Sequence, residues 1–196
     1  MRTAAAHFDR RYAASPDPWH YETSEYERDK YARTLAALPR RIGSALEAGC
    51  SIGVFTALLA ERCRQLEAVD FSSVAVERAR ERTRDRPGVR VERRILPEEL
   101  PDGSFDAIVC SELLYYWERE LVLDGLRRFE AALAPGGRLV AVHWRHPDPR
   151  RPLDGDSVHR LLCEHTVLRH RERRLDPDYL LDAWERPGPG TAEPAR

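Results

Sequence analysis

Glu47-Ala48-Gly49-Cys50-Ser51-Ile52-Gly53 is the stretch that decides the fold. Ser44 to Ala48 is a short strand, and the glycines after it permit a tight turn. Val54 to Cys63 then carries Phe55, Leu58 and Leu59 on one face at i, i+3, i+4 spacing, so a helix follows. Strand, glycine turn and helix in that order open a parallel α/β unit.

The alternation continues on both sides. Upstream, Tyr26 to Leu38 has helical spacing and ends at Pro39. Downstream, the spacing predicts a strand at Leu66 to Asp70 and a helix from Ser72 or Ser73 to about Arg84, with a serine as its N-cap. Val89 to Arg93 alternates as a third strand. Phe105 to Cys110 is nearly all apolar, as expected of a strand covered on both faces. Leu121 to Leu133 is an amphipathic helix, stopped by Pro135-Gly136-Gly137. Arg138 to Trp144 is a fifth strand, Asp154 to Leu162 a helix, and Val167 to Arg173 and Tyr179 to Trp184 two last strands. The fold class is therefore α/β, a doubly wound, Rossmann-like sheet that is mostly parallel with an antiparallel edge. Residues 1–40 form an N-terminal helical lid segment, 41–186 the main domain and 187–196 a disordered tail.

Bulk composition narrows the function. The chain has 196 residues, 42% hydrophobic and 33% charged, with a net charge of -1. That balance argues against general nucleic-acid binding, which needs an uncompensated basic surface. No apolar run is long enough for a membrane span, and no signal peptide follows Met1. Cys50, Cys63, Cys110 and Cys163 are widely spaced, which points to free thiols in the cytoplasm and to no metal site. The arginine runs at 78–86 and 169–174 read as solvated faces.

In such sheets ligands lie beyond the carboxyl ends of the strands. Asp70 ends the second strand, 23 residues after Glu47, where an acid accepts hydrogen bonds from ribose hydroxyls. A dinucleotide loop would need glycine at 49, 51 and 54, and the chain has Gly49, Ser51 and Val54. A loop with fewer glycines and a preceding acid suits a nucleoside cofactor without pyrophosphate. S-adenosylmethionine is such a cofactor, and its cationic groups favour Glu47 nearby.

Several segments together resemble the class I methyltransferase superfamily: the loop at 47–53, Ala68-Val69-Asp70-Phe71-Ser72, Phe105 to Glu112, and Leu133-Ala134-Pro135-Gly136-Gly137. Asp17-Pro18-Trp19, Tyr26-Glu27-Arg28, Ser111-Glu112-Leu113-Leu114-Tyr115-Tyr116 and Gly155-Asp156-Ser157-Val158-His159 are similar to the nodulation protein S type, N-methyltransferases acting on chitooligosaccharides. The resemblance implies seven strands with the last antiparallel. It implies cofactor contacts from Trp19, Tyr26, Glu47, Gly49, Cys50, Ser51, Gly53, Asp70, Phe71, Ile95, Leu96 and Ser111. Two departures stand out. Ser51 replaces the usual glycine, which strains the loop if φ is positive there. Ile95 replaces an acid that contacts adenine in many relatives, which leaves backbone groups near Ile95 and Leu96.

For the acceptor, Glu112 is placed to orient an amine. Tyr116 and His143 join it as catalytic candidates, with His143 as a base. Tyr115, Trp144 and His159 are expected to bind the substrate. The expected reaction is N-methylation of a small-molecule acceptor, an amino-sugar or related amine, by a monomer or homodimer. Alternatives are O-methylation of a secondary metabolite, which requires a base at His143 or Glu112, and a non-catalytic cofactor-binding protein, suggested by Ser51 and Ile95.

Overall fold

The computed structural model describes residues 2–188, so all but the first two residues of the expected tail lie outside the described residues. The fold is of the expected class: seven strands in a mostly parallel α/β sheet. Two compact units divide the chain after Pro101.

The first unit contains α1 (Arg2–Ala14), α2 (Glu25–Ala36), β1 (Ile42–Ala48), α3 (Val54–Leu59), β2 (Cys63–Asp70), α4 (Ser73–Thr83) and β3 (Val89–Arg93). Its strands run β3-β2-β1, all parallel. The residues that face the helices are small or branched: Ala45, Leu46, Ala68 and Val69 are all buried. Capping follows side-chain chemistry. Ser24 accepts from Glu27 N–H at the start of α2, and Ser72 from Ala75 N–H at the start of α4. Helix α3 is shorter than its apolar spacing predicts, because Cys63 is already in β2. Its entry is fixed by Gly53, which has φ of 79°. A Cβ on Gly53 would meet Ala79 Cα at 2.8 Å, so only glycine lets the loop lie this close to α4.

The second unit contains β4 (Phe105–Ser111), a one-turn 3-10 helix (Leu114–Tyr116), α5 (Arg119–Ala132), β5 (Leu133–Trp144), α6 (Gly155–His165), β6 (Arg169–Leu175) and β7 (Tyr179–Glu185). Strands β4 and β5 are parallel, with an irregular register where the Pro135-Gly136-Gly137 turn bulges out. Strand β5 therefore begins before that turn, not after it as the turn residues suggest. Strand β7 is antiparallel to both neighbours and lies between β5 and β6. The β6–β7 hairpin closes through Asp176-Pro177-Asp178, where Asp178 N–H donates to the Asp176 carboxylate at 3.0 Å. Helix α6 is capped by Asp154, which accepts from Ser157 N–H at 2.7 Å. Among the described residues, no helix is long and apolar enough to cross a membrane.

Candidate active site

In the first unit, the residues expected to hold a nucleoside lie at the carboxyl ends of β1 and β2. The loop after β1 is folded on itself. Gly49 N–H and Cys50 N–H both donate to Val69 carbonyl, at 2.8 and 3.0 Å. Ser51 N–H donates to Asp70 Oδ2 at 3.0 Å, and Gly53 N–H to Cys50 carbonyl at 3.0 Å. Gly49 has φ of 84° and Ser51 of 50°, so serine does occupy the left-handed region. The strain is held by a partner: the Ser51 and Tyr12 hydroxyls are 2.7 Å apart.

These hydrogen bonds decide which ligand suits the loop. A pyrophosphate needs free backbone N–H donors converging on it. Here four loop donors are already used, so the loop offers shape and acidity instead of an anion cradle. The acidity is concrete. Glu47 is buried, and its Oε2 has no hydrogen-bond partner among the described residues. Burial pushes its pKa up to about 8, partly offset by the neighbouring Thr56 and reinforced by Asp70. An orphaned buried carboxyl oxygen is satisfied by an incoming hydrogen-bond donor, a cationic group among them.

Asp70 is bound at both oxygens, since Ser72 N–H donates to Oδ1 at 2.9 Å. Burial raises its pKa to about 6, and the backbone donors hold it below where burial alone would leave it. A carboxylate offers roughly four acceptor positions. At Asp70, the backbone donors of Ser51, Ser72 and Phe71 fix its orientation.

Helix α1 and the turn after it cover this loop. Trp19 packs on Phe8, Tyr12 and Tyr21, with ring centroids 5.3 to 5.9 Å apart. Tyr12 and Trp19 pack with Ile52 and Ala75. Phe8 meets the expected cofactor residue Phe71 edge-on at 5.3 Å. Asp9 accepts from the Ser72 hydroxyl. Trp19, expected near the cofactor from the sequence, packs here with Phe8 and Tyr12, and neither of these nor Asp9 was singled out by sequence. The i, i+4 spacing of Phe8 and Tyr12 was the available signal. The arginine run on α4 is also more than a solvated face. Arg78 donates to Ser15 and Pro16 carbonyls at 2.9 and 3.0 Å, and Arg82 to Ile52 carbonyl at 2.9 Å.

Two expected cofactor contacts have other surroundings. The Tyr26 ring lies 4.9 Å from Lys30 Nζ, and this buried lysine is paired with Glu27 at 3.0 Å. Ile95 N–H donates to Glu99 carboxylate at 2.7 Å, and its carbonyl accepts from Glu99 N–H at 2.9 Å. Both backbone groups of Ile95 thus serve the chain itself.

In the second unit, the residues expected to meet the acceptor lie near the carboxyl ends of β4 and β5. Ser111 ends β4. Glu112 follows with φ of 53°, an unusual conformation for glutamate, held by its N–H donating to Val142 carbonyl at 2.8 Å. Its Oε2 accepts from Trp144 N–H at 3.1 Å and from the Tyr115 hydroxyl. The Tyr115 ring packs against Tyr116 at 4.8 Å and His143 at 5.4 Å.

His143 and His159 occupy places that exclude their expected roles. His143 is fully buried, and its Nε2 accepts from Leu114 N–H at 3.1 Å. That bond leaves the proton on Nδ1, which lies 3.1 Å from His159 Nε2. His159, also fully buried, passes its own Nδ1 proton toward Asp182 Oδ2 at 2.7 Å. Burial lowers the His159 pKa, so the ring is neutral. Burial opposes ionisation of Asp182, yet hydrogen bonds from His159, Arg173 and His170 outweigh it and hold the pKa at about 2. The result is a chain from Asp182 through two rings to the turn that carries Tyr115 and Tyr116. Neither ring has a nitrogen left to take an acceptor's proton or to bind an acceptor. Sequence spacing pairs His159 with Asp156, but that carboxylate takes Arg145 instead, at 2.7 and 2.9 Å.

The model of the nodulation protein S family matches residues 3–146. The chain belongs to that family. Nodulation protein S of Bradyrhizobium diazoefficiens is 36% identical over 134 residues, 66% of this chain and 64% of that protein. The Rhizobium tropici counterpart is 36% identical over 136 residues, 66% of this chain and 56% of its own length. The matched part is thus less than two thirds of these curated relatives. The crystal structure of the N-methyltransferase NodS from Bradyrhizobium japonicum WM9, in complex with S-adenosylhomocysteine, superposes with a TM-score of 0.84 at 27% identity. That match covers 93% of this chain and 98% of the NodS chain.

Proposed function

We propose that this nodulation protein S family member is an S-adenosylmethionine-dependent N-methyltransferase acting on a small-molecule amine, an amino-sugar or a related compound. The observation that carries it is the loop at 49–53. Four of its five backbone donors are spent internally, and it is backed by the orphaned Glu47 oxygen and the pre-oriented Asp70. That donor set rejects pyrophosphate and favours a cationic nucleoside. When bound, S-adenosylmethionine supplies a methyl group already activated by its sulfonium.

The protein's own residues then have simple tasks. Asp70 accepts from ribose, and Glu47 faces the ammonium end. Glu112, steadied by Tyr115 and Trp144 N–H, accepts a hydrogen bond from the amine and aims its lone pair. A neutral amine needs no strong base, whereas a hydroxyl does. His143 has no free nitrogen to be one, which favours N- over O-methylation. Four free cysteines support a reducing compartment, hence the cytoplasm.

The test is titration with S-adenosylmethionine, followed by transfer of a labelled methyl group to a panel of amines and matched alcohols. Label on amines supports the proposal. Label on alcohols alone favours O-methylation. Binding without transfer to anything indicates a non-catalytic protein, and the absence of binding sinks the cofactor assignment.

A further inference from the structure

Arg151 lies on the segment between β5 and α6, outside the residues matched by the family model. Its guanidinium carbon lies 3.9 Å from the Tyr115 ring centroid, 5.3 Å from Tyr116 and 5.2 Å from Trp144. The side chain is only 12% exposed. Its Nε and Nη1 are buried and donate to no acceptor among the described residues. The nearest carboxylate oxygen, Asp148 Oδ2, stands 3.9 Å from Nε, too far for a hydrogen bond. Asp148 is already committed to Arg150, through the backbone N–H and two guanidinium nitrogens at 2.7 to 3.0 Å.

A guanidinium pressed onto aromatic faces keeps its charge and its in-plane donors, because stacking uses the ring faces and not the N–H groups. Buried cationic donors without acceptors are rare and costly, and an incoming anion is what satisfies them. One tyrosine links this group to the amine end of the site: the Tyr115 ring carries Arg151, and the Tyr115 hydroxyl holds Glu112. An acceptor that places its amine at Glu112 therefore meets a cation within the reach of a small molecule.

We propose that Arg151 is an acceptor-specificity residue, and that the natural acceptor carries an anionic group, carboxylate or phosphate, besides its amine. This rests on the N-methyltransferase reading and narrows it. The surrounding rings position the guanidinium. The Tyr116 phenol also lies against it, with burial raising the phenol pKa and Arg151 opposing the rise.

Matched acceptor pairs test the proposal: glucosamine against muramic acid for a carboxylate, glucosamine against glucosamine 6-phosphate for a phosphate, and ethanolamine against glycine as minimal forms. The wild type is expected to prefer one anionic member by roughly 10- to 100-fold in kcat/KM, the worth of a charge-assisted hydrogen bond. Arg151→Met should bring that ratio close to one through KM, and Arg151→Lys should restore part of it. Which pair shows the preference separates carboxylate from phosphate. A wild-type ratio near one in all pairs overturns the proposal. So does an Arg151→Met variant that slows both members equally. Calorimetry with muramic acid and glucosamine 6-phosphate on the S-adenosylhomocysteine-loaded protein separates the two readings. Binding that depends on Arg151 supports the anion subsite even if no amine is methylated, and the failure then belongs to the reaction. Absence of such binding overturns the subsite while leaving methyl transfer to neutral amines intact.

Discussion

Replacing Ser51 with glycine isolates the residue that stands at positive φ in the loop after β1. Serine stands at φ of 50°, and a side chain there costs about 1–2 kcal/mol. Glycine removes that cost but loses about 0.5–1 kcal/mol through greater freedom of the unfolded chain. It also deletes the bond to the Tyr12 hydroxyl, worth about 1 kcal/mol, and Tyr12 is buried. The three effects nearly cancel, so Ser51→Gly should shift stability by less than about 1 kcal/mol. Ser51→Ala keeps the strain and loses the bond, and should be less stable than the glycine variant by about 0.5–1 kcal/mol. Tyr12→Phe deletes the bond alone and should cost about 1 kcal/mol. In that background Ser51→Gly has no bond left to lose and becomes stabilising. The double-mutant cycle should therefore show a coupling of about 1 kcal/mol. Urea denaturation measures the stabilities, and calorimetry with S-adenosylhomocysteine reports whether the loop keeps its shape. Additive single changes, or a glycine variant destabilised by more than 2 kcal/mol, would refute the balance of strain and bond.

Other outcomes follow from the same geometry. Asp70→Asn has one acceptor oxygen for two backbone donors, so either Ser51 or Ser72 N–H faces an amide NH₂. Cofactor Kd should rise at least about 10-fold by calorimetry, and an unchanged Kd would remove Asp70 from the site. His159→Ala strands His143 Nδ1–H in the interior and leaves Asp182 Oδ2 with Arg173 as its donor, and should cost about 2–4 kcal/mol in urea denaturation. It should lower kcat while keeping the form of the pH–rate curve, since neither histidine is the base; loss of an ionisation would contradict that. Glu47 gives a pH effect of definite sign. Its folded pKa of about 8 exceeds its ordinary value of 4.5, so the folded state binds the proton more tightly. That stabilisation is complete below pH 4.5 and is lost as pH rises toward 8, at about 1.4 kcal/mol per pKa unit. Asp70 adds a smaller loss between 3.8 and about 6. Denaturation from pH 5 to 8.5 should show the decline, flattened in Glu47→Gln. Cofactor binding should tighten over the same range, because a cation beside Glu47 displaces its proton.

Most of the architecture was legible because it rests on local patterns. An apolar run marked β4, a serine cap marked α4, and the Pro135-Gly136-Gly137 turn marked the end of α5. The loop after β1 was legible too, since Glu47, Gly49, Gly53 and Asp70 lie at fixed offsets from strand ends. The acceptor side was less so. His143 and His159 each look like a proton acceptor in sequence, yet the fold turns each toward the other. Asp182 reads as an odd acid in an apolar strand, and only β6 and α6 together supply its partners. Arg151 had no distinguishing neighbour in the chain.

The sequence by itself determined the order of strands and helices, the glycine turn after Glu47 and the acid at Asp70, because backbone sterics and periodicity act between near neighbours. Only the tertiary structure decided what those residues face. It spent the loop's donors on Val69 and Asp70, left one Glu47 oxygen orphaned, joined Ser51 to Tyr12 and sealed two histidines into a chain ending at Asp182. Each of those outcomes depends on which donor reaches which acceptor across tens of residues, and that pairing is set by packing rather than by spacing.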